Sequence, residues 1–432
     1  MNRLKIFSSS FTKIKINVWL NYSFVLLAFV IPLSRSAISI LVVISMFLWI
    51  VEGDWSRKYG LLKKDPMVMS IFIFLLWMFT SLLWTDNYPK AAYNIKNYLH
   101  LLLVPVMVTS LNPQKHYTVF RSFGAGMFIL IVLAILNYFN VYHVVKGWGG
   151  QAHLFMHHLD FSMMLAWVCV IGIIALLNRY FEFKKKDYFF WGLLVLLAFF
   201  WTFVQTGRSG QVSLLLALPT VIILSIRKYR FALATLCLLF FMGLMSLMYF
   251  SSLKFRERAN YTITELQRVI IGQNYRSSFG VRVLAYRVGV DLIRESPLIG
   301  CGIGDNMDEF SRRFSEISPT IQEPPEMTAV SLNHFHSQYF QVATESGLIG
   351  LFLWFGMFFN IRAKRRYSRI KNLFITAFFL VFFSGFIWEP FLHNQFSSVL
   401  IAVFLGWIYL LPDNISGDLI EQKTSFERRV GQ

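Results

Sequence analysis

The sequence predicts an all-α, polytopic membrane protein: about twelve membrane-spanning helices carrying one large, partly helical loop on the outer face. Three observations lead there. Of 432 residues, 56% are hydrophobic and only 15% are charged, where soluble domains carry roughly 25% charged residues. The mean hydropathy is +0.53, and apolar runs approaching the ~20 residues needed to cross a bilayer recur along the chain. The net charge of +18 sits in short clusters between those runs. That arrangement is a topology signal rather than a binding stripe. With the spans set aside, no basic surface with interleaved aromatics remains, so nucleic acid is not an expected partner.

Taken in order, the N-terminus is basic (Arg3, Lys5, Lys13, Lys15) and runs into apolar sequence without a small-residue cleavage site. A retained first helix is therefore expected. The expected spans are 17–33, 36–51, 67–84, 97–111, 118–139, 160–178, 188–206, 211–226, 231–250, 338–361, 372–388 and 396–412. These bounds divide the chain into a membrane bundle (1–250), a loop (251–337), further membrane helices (338–412) and a tail (413–432). Cys169 and Cys237 fall inside apolar runs and Cys301 stands alone in the loop. No CxxC or disulfide framework is present.

Basic clusters fall on alternate connections: Arg57/Lys58/Lys63/Lys64, Arg179/Lys184/Lys185/Lys186, Arg227/Lys228/Arg230 and Arg362/Lys364/Arg365/Arg366/Arg369/Lys371. The positive-inside rule places them in the cytoplasm together with both termini. The loop at 251–337 then faces outward. It is basic itself, but loops longer than about 60 residues translocate largely regardless of charge.

Within that loop, Val281, Leu284, Ala285, Val288 and Leu292 follow helical spacing, which predicts a helix over 281–295 ended by Ser296-Pro297. Gly300, Gly302 and Gly304 suggest a flexible turn, and 318–328, with three prolines, an irregular stretch. The loop also carries nine arginines, among them Arg256, Arg268, Arg282, Arg287 and Arg294. A planar guanidinium matches phosphate bidentately, so an anionic substrate at the membrane surface is expected.

Individual candidates follow. Arg208 lies between two spans in Thr206-Gly207-Arg208-Ser209-Gly210, and no Asp or Glu occurs from Tyr188 to Phe255. It either snorkels to headgroups or holds an anionic ligand. Arg287 has Asp291 at i+4, which predicts a surface pair. Arg282 has no acidic residue at helical spacing and is the freer candidate for a phosphate clamp. His334 and His336 stand where the loop meets the next span. Imidazole can accept a proton from a hydroxyl near neutral pH, or it can simply be an interfacial polar group. No Cys, Asp or third nearby His completes a metal set around His334-Phe335-His336, and nothing calls for a cofactor. Glu345, two turns beyond His336, should pair with an arginine or cap a polar pocket. His153 and His157 would share a face if their loop were helical, and Glu389 and His393 would border an outer cavity.

Three segments together resemble the O-antigen ligase family. They are Val204-Gln205-Thr206-Gly207-Arg208; Phe279-Gly280-Val281-Arg282 running on to Ser296-Pro297-Leu298-Ile299-Gly300; and His334-Phe335-His336-Ser337 running on to Glu345-Ser346-Gly347-Leu348. Ser337 departs from the asparagine common there in the family. The resemblance implies an architecture similar to C-type glycosyltransferases, sited in the bacterial inner membrane with its active site facing the periplasm. The implied reaction is metal-independent glycosyl transfer from an undecaprenyl-pyrophosphate-linked glycan to a sugar hydroxyl of lipid A–core. Carried over residue by residue, Arg208 and Arg282 would hold the pyrophosphate and His336 would be the base. Arg287, His334 and Glu345 would line the substrate site. An O-antigen polymerase uses the same donor and remains the alternative. A transporter fits poorly, because the spans are nearly free of charge and no internal repeat shows. Oligomeric state is not legible in the sequence.

Overall fold

Helix follows helix along the chain, and no strand occurs among the described residues of the computed structural model. Those residues are 2–142, 152–178, 180–226, 229–251, 253–270, 275, 278–317, 333–362 and 367–412. The first helices are α1 (Asn2–Val30), α2 (Arg35–Glu52), α3 (Trp55–Leu62), α4 (Pro66–Thr80), α5 (Tyr88–Tyr98) and α6 (Leu103–Ser110). Next come α7 (His116–Tyr138), α8 (His158–Asn178), α9 (Lys185–Val204), α10 (Arg208–Ser225) and α11 (Arg230–Ser251). The loop expected at 251–337 holds α12 (Leu253–Ile270), α13 (Ser278–Glu295) and α14 (Asn306–Ile317). The chain closes with α15 (Gln338–Phe359), α16 (Arg369–Phe378) and α17 (Gln395–Tyr409). The stretch 318–328 and the tail 413–432 lie outside the described residues.

Seven helical stretches among the described residues are long and apolar enough to cross a bilayer, and Lys15–Val30 and Gln395–Tyr409 are shorter apolar helices. The chain is thus an all-α polytopic membrane protein. Local chemistry sets many boundaries. The Ser34 side chain accepts from Ala37 N to start α2, and Asp65 accepts from Met67 N and Val68 N ahead of Pro66 to start α4.

Two expected spans take another form. The apolar run at 97–111 is not one helix: α5 ends at Tyr98, a 3₁₀ turn covers Leu99–Leu102, and α6 follows. Pro105 explains the restart, since its ring would clash with the carbonyl four residues back in an unbroken helix but is tolerated in a first turn. The run at 372–388 is α16 extended by a π turn, Phe379–Phe383, after which the chain leaves the helix.

The elements pack around α8, buried along most of its length, and α17, buried from Phe396 to Tyr409. Helices apolar all round belong at a bundle centre. Val43, Phe47, Leu76, Phe200 and Phe352 face outward instead, as lipid-facing side chains would.

The connections gather at two opposite ends. At one end, Asp86 N and Asn87 N donate to Asp305 (2.8 and 2.7 Å), Asn97 donates to His393 O (3.0 Å), and Gln395 donates to Arg35 O (3.3 Å). At the other, Arg57 donates to Thr109 O (2.8 Å), Arg369 to Ser225 O (2.6 Å), and Lys371 to Tyr409 O and Leu411 O (2.7 and 2.9 Å). Basic residues of two of the four clusters thus tie together the end away from the large loop.

Candidate functional site

The loop helices make their own small core. Leu284, Ala285, Val288 and Leu292 of α13 bury against Met307, Phe310 and Phe314 of α14, and Phe335 inserts between them. The predicted helix at 281–295 is therefore present, beginning three residues earlier, at Ser278. Its anchor point on the membrane bundle is a break in α15. Gly347 has φ +68 within that helix, so the carbonyls before it lose their helical donors. Outside partners satisfy them: Thr344 O accepts from Cys301 N (2.8 Å), Glu345 O from Gly302 N (3.2 Å) and Ser346 O from the Trp77 indole (2.9 Å). Past the break, Leu348 N donates to Pro297 O (2.8 Å). A Cβ on Gly347 would run into the Leu298 carbonyl, and one on Gly300 into the Gly347 backbone. The glycine turn after Pro297, expected to be flexible, is instead a fitted plug.

Immediately before α15 the chain presents its histidines. Ser337 is extended at the helix N-terminus, and His336 has φ +52, a left-handed conformation that is sparse for a residue with a β-carbon. Contacts on every side hold it there. Phe335 N donates to Gln341 Oε1 (3.1 Å), and Gln338 N donates to Phe386 O (2.9 Å). The Tyr286 hydroxyl of α13 lies 3.1 Å from His336 O and 2.6 Å from Ile387 O, one proton serving two carbonyls. Its ring stacks on Phe340 at 4.9 Å. Burial pushes the phenol up to about 12, so it stays a donor at any ordinary pH.

The non-helical stretch after the π turn brings Glu389 beneath the two imidazoles. Glu389 is 1% exposed. His336 Nδ1 lies 3.4 Å from its Oε2 and His334 Nε2 lies 3.4 Å from its Oε1. The rings meet edge to face with centroids 4.5 Å apart. Desolvation pushes His334 down to about 4, leaving it neutral at pH 7. Burial opposes ionisation of Glu389, yet the charge that His334 gains when protonated in acid and the hydrogen bond with His336 outweigh it and hold the carboxyl down at about 2. His157 is lowered by burial as well and lies within the field of Glu389 and His336.

These three side chains place their ligand atoms within 4.8 Å of one another, a grouping that could hold a metal ion. The third member missing from the local sequence is thus supplied by Glu389. The protons argue against a metal, however. The His336 backbone N–H donates to His334 Nδ1 (3.2 Å), so a neutral His334 carries its proton on Nε2, where a metal would need a lone pair.

The arginines separate. Arg282 is half-buried on α13, and its charge acts on the Tyr286 hydroxyl and on the His158 imidazole. Arg208 is exposed at the start of α10, and Gly207 before it packs on the His158 carbonyl. The i+4 pair expected for Arg287 does not form. Arg287 donates to the Tyr275 hydroxyl (3.5 Å), while Asp291 pairs with Arg294 (3.6 Å). An i, i+3 partner on the same face has captured the carboxylate.

Glu345 is fully buried and bonds no arginine among the described residues. It accepts from Tyr98 (2.8 Å), Gln341 (2.7 Å) and Asn94 (3.3 Å), and lies 3.2 Å from His393. The same Gln341 holds Phe335 N, so Glu345 supports the histidine segment from below. His153 and His157 do not share a helix, because a turn precedes α8 there. Tyr286 gave no signal in the sequence.

Arg208, Arg282, both loop histidines and Glu345 all lie within one matched segment. Residues 193–355 match the O-antigen ligase family. Glu389 lies beyond the match. No curated protein matches the chain.

Proposed function

We propose that the protein is an O-antigen ligase. It would transfer a glycan from undecaprenyl pyrophosphate to a sugar hydroxyl of lipid A–core at the periplasmic face of the inner membrane. The observation that carries this reading is the meeting of His336 and the Arg282-bearing helix, both inside the family-matched region, with Glu389 from beyond it, at the end of the bundle away from the basic clusters.

A polyprenyl pyrophosphate is already activated, so little covalent chemistry falls to the protein. The acceptor oxygen bonds to the anomeric carbon as that carbon's bond to the pyrophosphate oxygen breaks. The hydroxyl proton passes to His336, and the electron pair leaves with the pyrophosphate. Direct displacement inverts the anomeric configuration. Arg208 and Arg282 bind the leaving pyrophosphate through bidentate hydrogen bonds and stabilise the charge that develops there. General-base help is worth on the order of 10²–10⁴-fold. Glu345, buried among four protein partners, supports the site without touching substrate.

A lipopolysaccharide gel of a deletion strain tests this. Core free of O-antigen, with long glycan still on the lipid carrier, is the expected result; core carrying a single repeat would mean a polymerase instead. Arg208→Ala and Arg282→Ala should each abolish transfer, and lysine should rescue either site poorly because an ammonium cannot make the forked contact.

A further inference from the structure

Glu389 offers its two oxygens to one imidazole each, and the surrounding backbone decides where the protons sit. His334 receives the His336 N–H on Nδ1 (3.2 Å), so its own proton is on Nε2, facing Glu389 Oε1 at 3.4 Å. His336 has no such backbone constraint. Its ring partner among the described residues is Glu389 Oε2, 3.4 Å from Nδ1. An ionised carboxylate only accepts. Nδ1 of His336 must therefore carry the proton, and the lone pair stands on Nε2.

We propose that Glu389 is a positioning residue: by accepting the Nδ1 proton of His336 it fixes Nε2 as the atom that takes the acceptor's proton, and His334 competes for the same carboxylate. The inference rests on His336 being the base. Glu389 remaining ionised down to about pH 2 and His334 remaining neutral down to about pH 4 keep this proton arrangement in place at neutral pH.

The competition has a consequence that a purely structural role would not share. A glutamine at 389 has one acceptor and one donor atom. His334, whose tautomer the backbone fixes, takes the acceptor. His336 then meets the amide N–H₂, moves its proton to Nε2 and loses the lone pair the reaction needs. Without His334 the amide can turn its oxygen to His336, and the productive tautomer returns.

The experiment uses full-length protein in nanodiscs, transferring labelled glycan from its lipid carrier to purified core, beside a donor-binding assay. Glu389→Gln should lower turnover at least about a hundredfold, as loss of the correct tautomer does in a hydrolytic triad, with donor binding unchanged. Adding His334→Ala should raise turnover about tenfold above Glu389→Gln alone, within the coupling seen for contacting residues. Glu389→Asp, which keeps two acceptor oxygens, guards against a folding failure of the amide and should keep about a tenth of normal turnover or more. A double variant no faster than Glu389→Gln, or an inactive Glu389→Asp that still binds donor, overturns the inference. Full activity of His336→Ala would remove the base reading and this inference with it. An inactive His336→Ala beside a fully active Glu389→Gln would remove only the positioning role.

Discussion

At φ +52, His336 is in a conformation that costs of order 1–3 kcal/mol and persists only where neighbours over-determine it. Tyr286 is one of those neighbours, because its hydroxyl ties the His336 carbonyl to the Ile387 carbonyl and so to the Glu389 stretch. Tyr286→Phe keeps the ring stack and removes only that tie. Turnover should fall about tenfold, the weight of one net hydrogen bond at the upper end of its range, with donor affinity unchanged; a fall in affinity instead would show that the hydroxyl serves the donor. His334 makes a separate claim about pH. Its imidazole titrates near 4 rather than 6.5, so between those values the unfolded chain binds a proton that the folded chain refuses. Thermal stability should drop as pH falls from about 6.5 to 4, the lowered His157 acting in the same direction, and His334→Asn should flatten the slope. An identical slope in the variant refutes the assignment. The sequence showed both histidines and both arginines, since each interrupts apolar or weakly charged surroundings. It could not show that Glu389 joins them, because that partner arrives from another part of the chain, nor that Arg294 rather than Arg287 captures Asp291.

Among elements, long apolar runs were legible because a bilayer crossing leaves few alternatives to helix. Departures from simple helix were not, because they are fixed by what packs against them. The π turn at Phe379–Phe383 and the break at Gly347 both fall in runs whose composition reads as continuous span. The break is the more consequential, since it receives the Pro297–Gly302 turn and thereby seats α13, which carries Arg282 and Tyr286. Gly347→Ala combines a backbone conformation essentially reserved to glycine (φ +68, ψ −173) with a clash against the Leu298 carbonyl. It should lower the melting temperature in detergent and cut activity further than the lost stability explains. Gly356→Ala in the same helix meets open space and should leave melting unchanged or slightly raised. Equal melting of the two variants would show that the turn does not depend on the break.

For the whole molecule, the expected orientation rests on charge, while the structure supplies an independent geometric check on its internal consistency. Connections assigned to the outside by charge alternation bond one another: Asp86 and Asn87 with Asp305, Asn97 with His393, and Gln395 with Arg35. Those assigned to the inside do the same at the opposite end, through Arg57, Arg369 and Lys371. An odd miscount of spans between two partners would have placed them at opposite ends of the bundle. The broken run at 97–111 must still carry the chain from Asp86 at one end to Asn112 at the other, because Asn112 N donates to Asn21 Oδ1 (2.7 Å) beside the Glu52 group. It crosses as α5, the 3₁₀ turn and α6 together, buried against α17 rather than exposed to lipid, which is where irregular backbone is tolerated in a membrane. Reporter fusions ending at Lys185 and at Glu309 should therefore report opposite sides, with Lys185 cytoplasmic, since neither the break nor the short α17 alters the parity of crossings between them. Reports from the same side would mean that an odd number of crossings between α9 and α14 is wrong, and would place His336 and the lipid-linked donor on opposite faces of the membrane.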